Sequence, residues 1–291
     1  MLLNKEVEYL PATMLLPWDL TETADIVWSE FPALLKAPLG SGGNSLYLVQ
    51  SVEDVVSIVS SHALQARSTP GFLDSLQLQY HRIPSWSLQR IVPSLRINNQ
   101  KCQFRVYLIA LNDEIYAYHQ IEVRIPTWND QQSTDANIST ALAFDQIMCA
   151  NSTALPYNHN RVKTETKRVL LKELNGLDID RIQTNIRDLM TRAFSSLQHH
   201  FQLTFHHHSK KSHFFLPSFH LCELAVGGVD VMVDGDYRPF IVEMNNNPAM
   251  PSSNKQMSSA YRAHLITFVK ELIAFGMNRN NHDHSSFERL C

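Results

Sequence analysis

The chain has 291 residues, with 25 Lys and Arg against 28 Asp and Glu for a formal charge of −3. An apolar fraction of 44% with 18% charged residues describes an ordinary globular chain, long enough for one large domain or two smaller ones. The near balance of charge argues against nucleic acid or an anionic membrane as a bulk electrostatic partner, and no run approaches the ~18 apolar residues of a membrane helix.

The first residues carry Lys5 and Glu6 and lack an apolar stretch followed by small residues, so no secretory signal is expected. Residues 33–50 read as strand, glycine-rich turn, strand, with Gly40, Gly42 and Gly43 in the turn. Ser51 with Glu53 and Asp54 then forms a helix N-cap before Val55, Val56, Ile58 and Val59. Residues 86–92 read as a strand ending at Pro93, and 102–111 with 115–125 as a strand pair across Asn112-Asp113. The polar stretch 126–165 reads as loop.

From Asp178 to about Phe201, the spacing of Ile179, Ile182, Ile186, Leu189, Ala193 and Leu197 predicts an amphipathic helix. Residues 221–233 and 239–244 are apolar strands around Asp234-Gly235-Asp236, and a last helix covers roughly 258–275 before a polar tail. Strands and helices alternate without a strict βαβ rhythm, which makes the fold class α+β.

Cys102, Cys149, Cys222 and Cys291 are scattered with no C-x-x-C pair, as suits reduced thiols in a cytosolic protein. Among 14 histidines, His199, His200, His206, His207, His208, His213 and His220 cluster. No H-E-x-x-H spacing supports zinc there, so a solvated loop is expected, with weak metal binding as the minor alternative. Phe194, Phe201 and Phe205 read as core.

The segment 227–248, GGVDVMVDGDYRPFIVEMNNNP, is the most informative. With its turn near Asp236-Tyr237, the two strands pair antiparallel, Val233 faces Phe240, and Asp230 falls opposite Glu243. Val229, Val231, Val233, Val242 and Met244 then share a core face, and Asp230, Glu243 and Asn245 share the other. Two carboxylates with Cβ atoms ~4.5–5.5 Å apart repel unless a cation sits between them. Oxygen ligands on rigid strands suit Mg²⁺ completed by water and nucleotide phosphates; a solvated hairpin face is the alternative. Lys36 beside the glycine turn suits phosphate contacts, although a G-S-G-G turn is more often just a hairpin turn. Lys101, Arg105 and Arg124 are cations in or beside long apolar strands, facing either solvent or a bound anion.

Together these segments resemble the tubulin-tyrosine ligase-like family of the ATP-grasp superfamily. Tyr9 to Thr13 and Leu16-Pro17 are similar to its "P-x-T…L-P", Phe31 to Val49 to "W-I-x-K-P…G-x-G-I", and Lys101 to Tyr107 to "K-F-D-x-R-x-Y". Glu223 to Pro248 is similar to "E-L-x-G-x-D-F-M-x-D…P-x-L-x-E-x-N-x-x-P". Gln103 stands where the family's pattern has an acid, and the family's "T-N" motif has two candidates, Asn137 and Asn151.

The resemblance implies an ATP-grasp fold whose two lobes, with antiparallel sheets, enclose ATP. It places a partial central lobe at 1–88, a C-terminal lobe with the metal site at 89–278 and the polar tail at 279–291, with the family's N-terminal domain missing. It implies that Lys36 and Lys101 contact ATP phosphates, and that Gln89, Arg90, Ile91 and Val92 line the adenine. Asp230, Glu243 and Asn245 would hold Mg²⁺, and Arg105 and Arg124 would bind a phosphorylated carboxylate. The implied activity is ATP-dependent ligation of tyrosine, glutamate or glycine onto a protein carboxylate. The implied partners are a free amino acid and a tubulin C-terminal tail or another acidic tail, in the cytoplasm and at the cytoskeleton. A weakly active or inactive ATP- and tubulin-binding module is the second possibility, and an ATP-grasp ligase for small peptides a third.

Overall fold

Short apolar runs bounded by proline and polar residues become antiparallel strands. The computed structural model describes residues 10–20, 22–23, 26–38, 46–68, 85–98, 100–111, 114–126, 166–209, 224–245, 248, 257–277 and 286–290. Described residues up to Pro93 form one unit and those from Ser94 onward another.

The first unit is a sheet of β1 (Thr13–Leu16), β2 (Ala33–Lys36), β3 (Leu46–Val49) and β4 (Trp86–Arg90), in the order β1-β4-β2-β3. The expected pairing across the glycine turn is present, with Ala33 opposite Val49 and Lys36 opposite Leu46; the turn itself lies outside the described residues. Helix α1 (Val52–Ser68) starts where expected. Ser51 Oγ accepts from Asp54 N at 3.2 Å and Asp54 Oδ2 from Gln50 N at 2.8 Å, so its first turn is capped from both sides. Its buried Val55 and Val59 join Leu35, Val49, Trp86 and Leu88 in the core. The unit runs past residue 88, the expected boundary, because β4 is paired on both edges, with β1 and β2.

In the second unit β5 (Arg96–Ile97) and β6 (Gln100–Lys101) form a short ladder. The main sheet comprises β7 (Gln103–Leu111), β8 (Glu114–Tyr118), β9 (Glu122–Pro126), β10 (Thr166–Leu170), β11 (Leu224–Val233), β12 (Pro239–Asn245) and β13 (Phe287–Arg289). Its path is β10-β9-β7-β11-β12, with β8 bridging β7 and β13. The single strand expected at 115–125 is two. β8 pairs with Leu108–Leu111 of β7 and β9 with Gln103–Arg105, so both share one edge of β7 and the chain breaks at 119–121. Of the expected loop, 127–165 lies outside the described residues.

Helix α2 (Ile179–Ser209) packs on β11 and β12. Its Ile182, Ile186, Leu189 and Ala193 are buried, as their spacing demands. It runs beyond the expected end, and the backbone at His206, His207 and His208 is helical instead of looped, since neither Gly nor Pro occurs between 179 and 209 to stop it. The other expected elements of the histidine cluster, His213 and His220, lie outside the described residues.

Helix α3 (Ser259–Met277) is capped by Ser258, whose Oγ accepts from Tyr261 N at 3.0 Å. Its Phe268 and Phe275 pack with Tyr107, Ile109, Tyr116, Tyr118 and Phe287 on one face of the sheet. The stretch expected as a polar tail therefore contains a strand, β13, because Phe287 and Leu290 have apolar places to fill. Phe268 touches Tyr107 and Tyr118 at ring-centroid distances of 5.1 and 4.7 Å. Phe268→Ala should cost about 3–5 kcal/mol in urea unfolding of the second unit; a loss below about 1 kcal/mol would mean that α3 contributes little to it.

Candidate active site

Strand alternation gathers a set of polar groups on the face of the main sheet that α3 covers. Arg105 of β7 stands in register with Glu122 of β9 on one side and Asp230 of β11 on the other. Asp230 is in turn opposite Glu243 of β12. One row across four strands therefore reads Glu122, Arg105, Asp230, Glu243. A second row across β7, β9 and β10 reads Gln103, Arg124, Arg168.

Arg105 grips Asp230 with two parallel bonds, Nε to Oδ1 at 2.6 Å and Nη2 to Oδ2 at 2.5 Å, both side chains being buried. This is the bidentate geometry in which a guanidinium matches a carboxylate best. Arg124 Nη1 lies 3.8 Å from Asp230 Oδ1.

The Asp230–Glu243 pairing is reached differently from the expectation. Val233 is opposite Pro239, not Phe240, and a bulge between Asp230 and Val231 takes up the extra residue, Val242. The bulge restores the register at the carboxylates. Val229, Val231 and Val233 are buried as expected, but Met244 is 38% exposed and outside the core. The hairpin turn is closed by Asp234, whose Oδ1 accepts from Asp236 N and Arg238 N, each at 2.9 Å. Tyr237 takes a left-handed φ of 66°, held by Asn185 Nδ2 donating to its carbonyl at 2.8 Å and by Arg181 over its ring.

Asn245, opposite Gly228, completes the rim. Turned so that Nδ2 donates to Glu243 Oε1 at 3.0 Å, its Oδ1 accepts from Arg105 Nη2 at 3.1 Å. Gly228 is required by steric fit, not by dihedral angle. A Cβ there would lie 2.9 Å from Pro248 Cβ and 3.5 Å from Arg105 Cδ. The proline of N-x-N-P and the arginine stem both cross this glycine.

Glu122 has no exposed surface. Its Oε1 accepts from Arg124 Nε and Arg168 Nη1, both at 2.7 Å, and its Oε2 from the hydroxyls of Tyr107 at 2.7 Å and Tyr261 at 2.6 Å. Burial alone would raise this carboxyl, but Arg124 and Arg168, with the Tyr261 hydroxyl, override it and hold the group at about 2. Burial opposes the charge of Arg124 too, yet Glu122 and Asp230 keep its pKa raised. Burial and the Glu122 charge push both tyrosines upward. Glu122, Arg168, Tyr107 and Tyr261 escape the sequence reading. Two of them left marks there: Tyr107 closes the K-F-D-x-R-x-Y match, and E-x-R in a strand puts Glu122 and Arg124 on one face.

Of the remaining expected residues that are described, all but Lys101 belong to the first unit. Lys36 ends β2, opposite Ser87. Gln89 is buried in β4 with Nε2 donating to Thr13 Oγ1 at 3.1 Å, Arg90 is 3.6 Å from Glu30 at the surface, and Ile91 and the buried Val92 follow. The backbone of Lys101 lies in β6, and its side chain is outside the described residues. Asn137 and Asn151 lie outside them as well.

A model of the tubulin-tyrosine ligase family matches residues 88–280, which hold every side chain of this polar face. The chain belongs to the tubulin-tyrosine ligase family. Comparison with curated proteins finds no match. Among solved structures the chain is similar to the C-terminal domain of K. lactis Pby1, described as an ATP-grasp enzyme interacting with the mRNA decapping enzyme Dcp2. The two share 13% identity with a TM-score of 0.47, over 89% of this chain and 62% of that one. The chain thus spans less than two thirds of that structure's length.

In this family member the donor set at the hairpin suits a hard divalent cation: Asp230, Glu243 and Asn245 offer only oxygen ligands. Each carboxylate oxygen has two lone pairs, so the Arg105 bonds leave Asp230 acceptor capacity. Among the described residues no three His, Cys, Asp or Glu gather to hold a metal, and this set needs only two carboxylates and an amide.

Two outcomes follow from the geometry. Gly228→Ala should displace Pro248 or Arg105 and destabilise the protein by about 1–3 kcal/mol, measured by thermal melting; an unchanged melting temperature would contradict the close approach. Glu122 titrates lower folded than its ordinary 4.5, so its stabilisation is complete above pH 4.5 and disappears as pH falls towards 2. Glu122→Gln should therefore cost about 3–5 kcal/mol at neutral pH, and the gap to wild type should narrow between pH 4.5 and 2. A gap independent of pH would refute it.

Proposed function

We infer that this protein is an ATP-dependent carboxylate–amine ligase that joins a free amino acid to a protein carboxylate. One observation carries the reading. Within the segment that matches the family, Arg105, Arg124 and Asp230 are buried together beside Glu243 and Asn245, on a single sheet face.

The chemistry asks for charge neutralisation at fixed positions. The acceptor carboxylate oxygen takes the γ-phosphoryl group of ATP and ADP leaves. The amine nitrogen of the incoming amino acid then bonds to the acyl carbon, the C–O bond to phosphate breaks, and the nitrogen loses a proton. In this reading Arg105 and Arg124 hold the acyl-phosphate oxygens, and Asp230 keeps the Arg105 guanidinium aligned. Lys36 and Lys101 contact the nucleotide phosphates, and Gln89, Arg90, Ile91 and Val92 line the adenine. Asp230, Glu243 and Asn245 would hold Mg²⁺, which supplies neutralisation of phosphate charge when bound. The acceptor implied by the family is a tubulin tail, with tyrosine, glutamate or glycine as the donor, in the cytoplasm.

A second reading, a binding module of the same fold without turnover, is favoured by Gln103 at the position of an acid and by Arg105 occupying both oxygens of Asp230. Incubation with Mg-ATP, labelled amino acids and tubulin separates the two. ADP release with label transfer is expected, falling by about 100-fold or more in Glu243→Gln, the scale of one lost electrostatic group. ATP binding without turnover under every donor would leave only the binding module.

A further inference from the structure

The buried cluster does not balance its own charge. Among the described residues Arg105, Arg124 and Arg168 are three buried guanidinium groups, and the buried carboxylates among them are two, Asp230 and Glu122, Glu243 at the end of the row being exposed. Arg105 and Asp230 neutralise each other. Arg124 and Arg168 share the single charge of Glu122, through one and the same oxygen. Their bonded nitrogens are no further apart than two 2.7 Å bonds laid end to end. Two like charges that close and out of water are costly without a counter-ion.

The unsatisfied hydrogen-bonding groups belong to residues of one cross-strand row. Among the described residues Arg124, 1% exposed, has no partner for Nη2, and Arg168, 7% exposed, has none for Nε. Gln103, 1% exposed and in the same row, likewise has none for Oε1 among them. Buried polar atoms left unpaired cost about 1–3 kcal/mol each, and more when charged. The two arginine donors, on adjacent strands, therefore mark a place that an acceptor completes, while the Gln103 oxygen, itself an acceptor, calls for a donor such as water or a protonated phosphoryl oxygen. Residue 103 also sets the sign: a carboxylate there would have made three acids for three arginines, and the amide leaves one positive charge over.

We propose that Arg168 and Arg124 form a buried oxyanion site in which Glu122 is the positioning residue, and that its ligand carries a carboxylate or phosphoryl group. Glu122 fixes Arg124 by Nε and Arg168 by Nη1, and so turns Nη2 of one and Nε of the other away from itself. Tyr107 and Tyr261, donating to the second oxygen, prevent the carboxylate from rotating to cover those atoms. The incoming oxyanion supplies the missing negative charge and accepts both N–H groups. Arg168 thereby becomes a binding residue of the site, and Glu122 acts on the ligand only through the two arginines.

The test is a titration of the full chain with sodium phosphate and sodium acetate at constant ionic strength. It follows the ¹⁵N–¹H signals of the arginine Nε–H groups, assigned with Arg168→Lys and Arg124→Lys. The Arg124 and Arg168 signals should move along saturable curves. Saturation at lower phosphate than acetate identifies a phosphoryl ligand, and the reverse a carboxylate. Glu122→Gln/Arg168→Gln removes one charge of each sign, which keeps the net charge and favours folding. In it, anion affinity at Arg124 should fall about tenfold or more, the scale of one charge-assisted hydrogen bond. Shifts no larger than those sodium chloride produces, or unchanged affinity in the double variant, would overturn the proposal. It deepens the ligase reading, and the two fail separately. Wild-type ADP release and KM in the double variant keep the ligase and remove the oxyanion site. Saturable arginine signals without turnover keep the oxyanion site and remove the ligase.

Discussion

Four hydrogen bonds onto one buried carboxylate organise the second unit. Glu122 belongs to β9, and its donors come from β7, β10, α3 and its own strand. A carboxylate taken out of water loses several kcal/mol of solvation, so each of those elements must arrive in register for the charge to be tolerated at all. Phe268 and Tyr261 lie on the same helix, so the aromatic packing that docks α3 also delivers a hydroxyl to Glu122. Packing and polar network thus fix one geometry together, since a half-satisfied network of this kind would be worse than an apolar core.

The second constraint is close approach at the hairpin. Arg105 reaches Asp230 by passing over Gly228, and Pro248 closes on the same glycine from the other side. Any side chain at 228 would push the guanidinium or the proline away. The glycine is explained by the space these two need, and its φ is not left-handed. The bulge beside Asp230 has a comparable role: it shifts β12 by one residue and aims Glu243 at Asp230, not at a neighbour.

Much of this was legible in the chain. The two strands 224–233 and 239–245, their antiparallel pairing, and the opposition of Asp230 and Glu243 follow from apolar alternation and a turn rich in Asp and Gly. The route to that opposition was not, because a single bulged residue leaves no mark in composition or period. Helix α2 was legible in its buried face and misjudged in its length, since histidines are poor evidence for a loop when no Gly or Pro accompanies them. Arg168 was invisible for a different reason. It enters the cluster only by pairing with Arg124, forty-odd residues away across the stretch 127–165, and strand partners at that separation are set by tertiary packing.

The two arginines carried over from the family pattern turn out to be in unlike situations, and this bears on what each can do. Arg105 has a full bidentate partner in Asp230 and a further contact with Asn245, so its charge is spent within the protein. Arg124 shares its main partner with Arg168 and touches Asp230 only at 3.8 Å, with one nitrogen unpaired among the described residues. An anion entering here would find Arg124 preorganised and undercompensated, and Arg105 already satisfied. For Arg105 to meet a reacting group with its Nε edge it would have to release Asp230 to a cation, whereas Nη1 makes neither of the Asp230 bonds. Metal binding at Asp230 and anion binding at the Nε edge of Arg105 are thus linked through one salt bridge, whereas Arg124 and Arg168 are ready to bind without any such exchange. The asymmetry lies in the strand register: Arg105 sits opposite an acid on each neighbouring strand, and Arg124 sits opposite an amide and a second arginine.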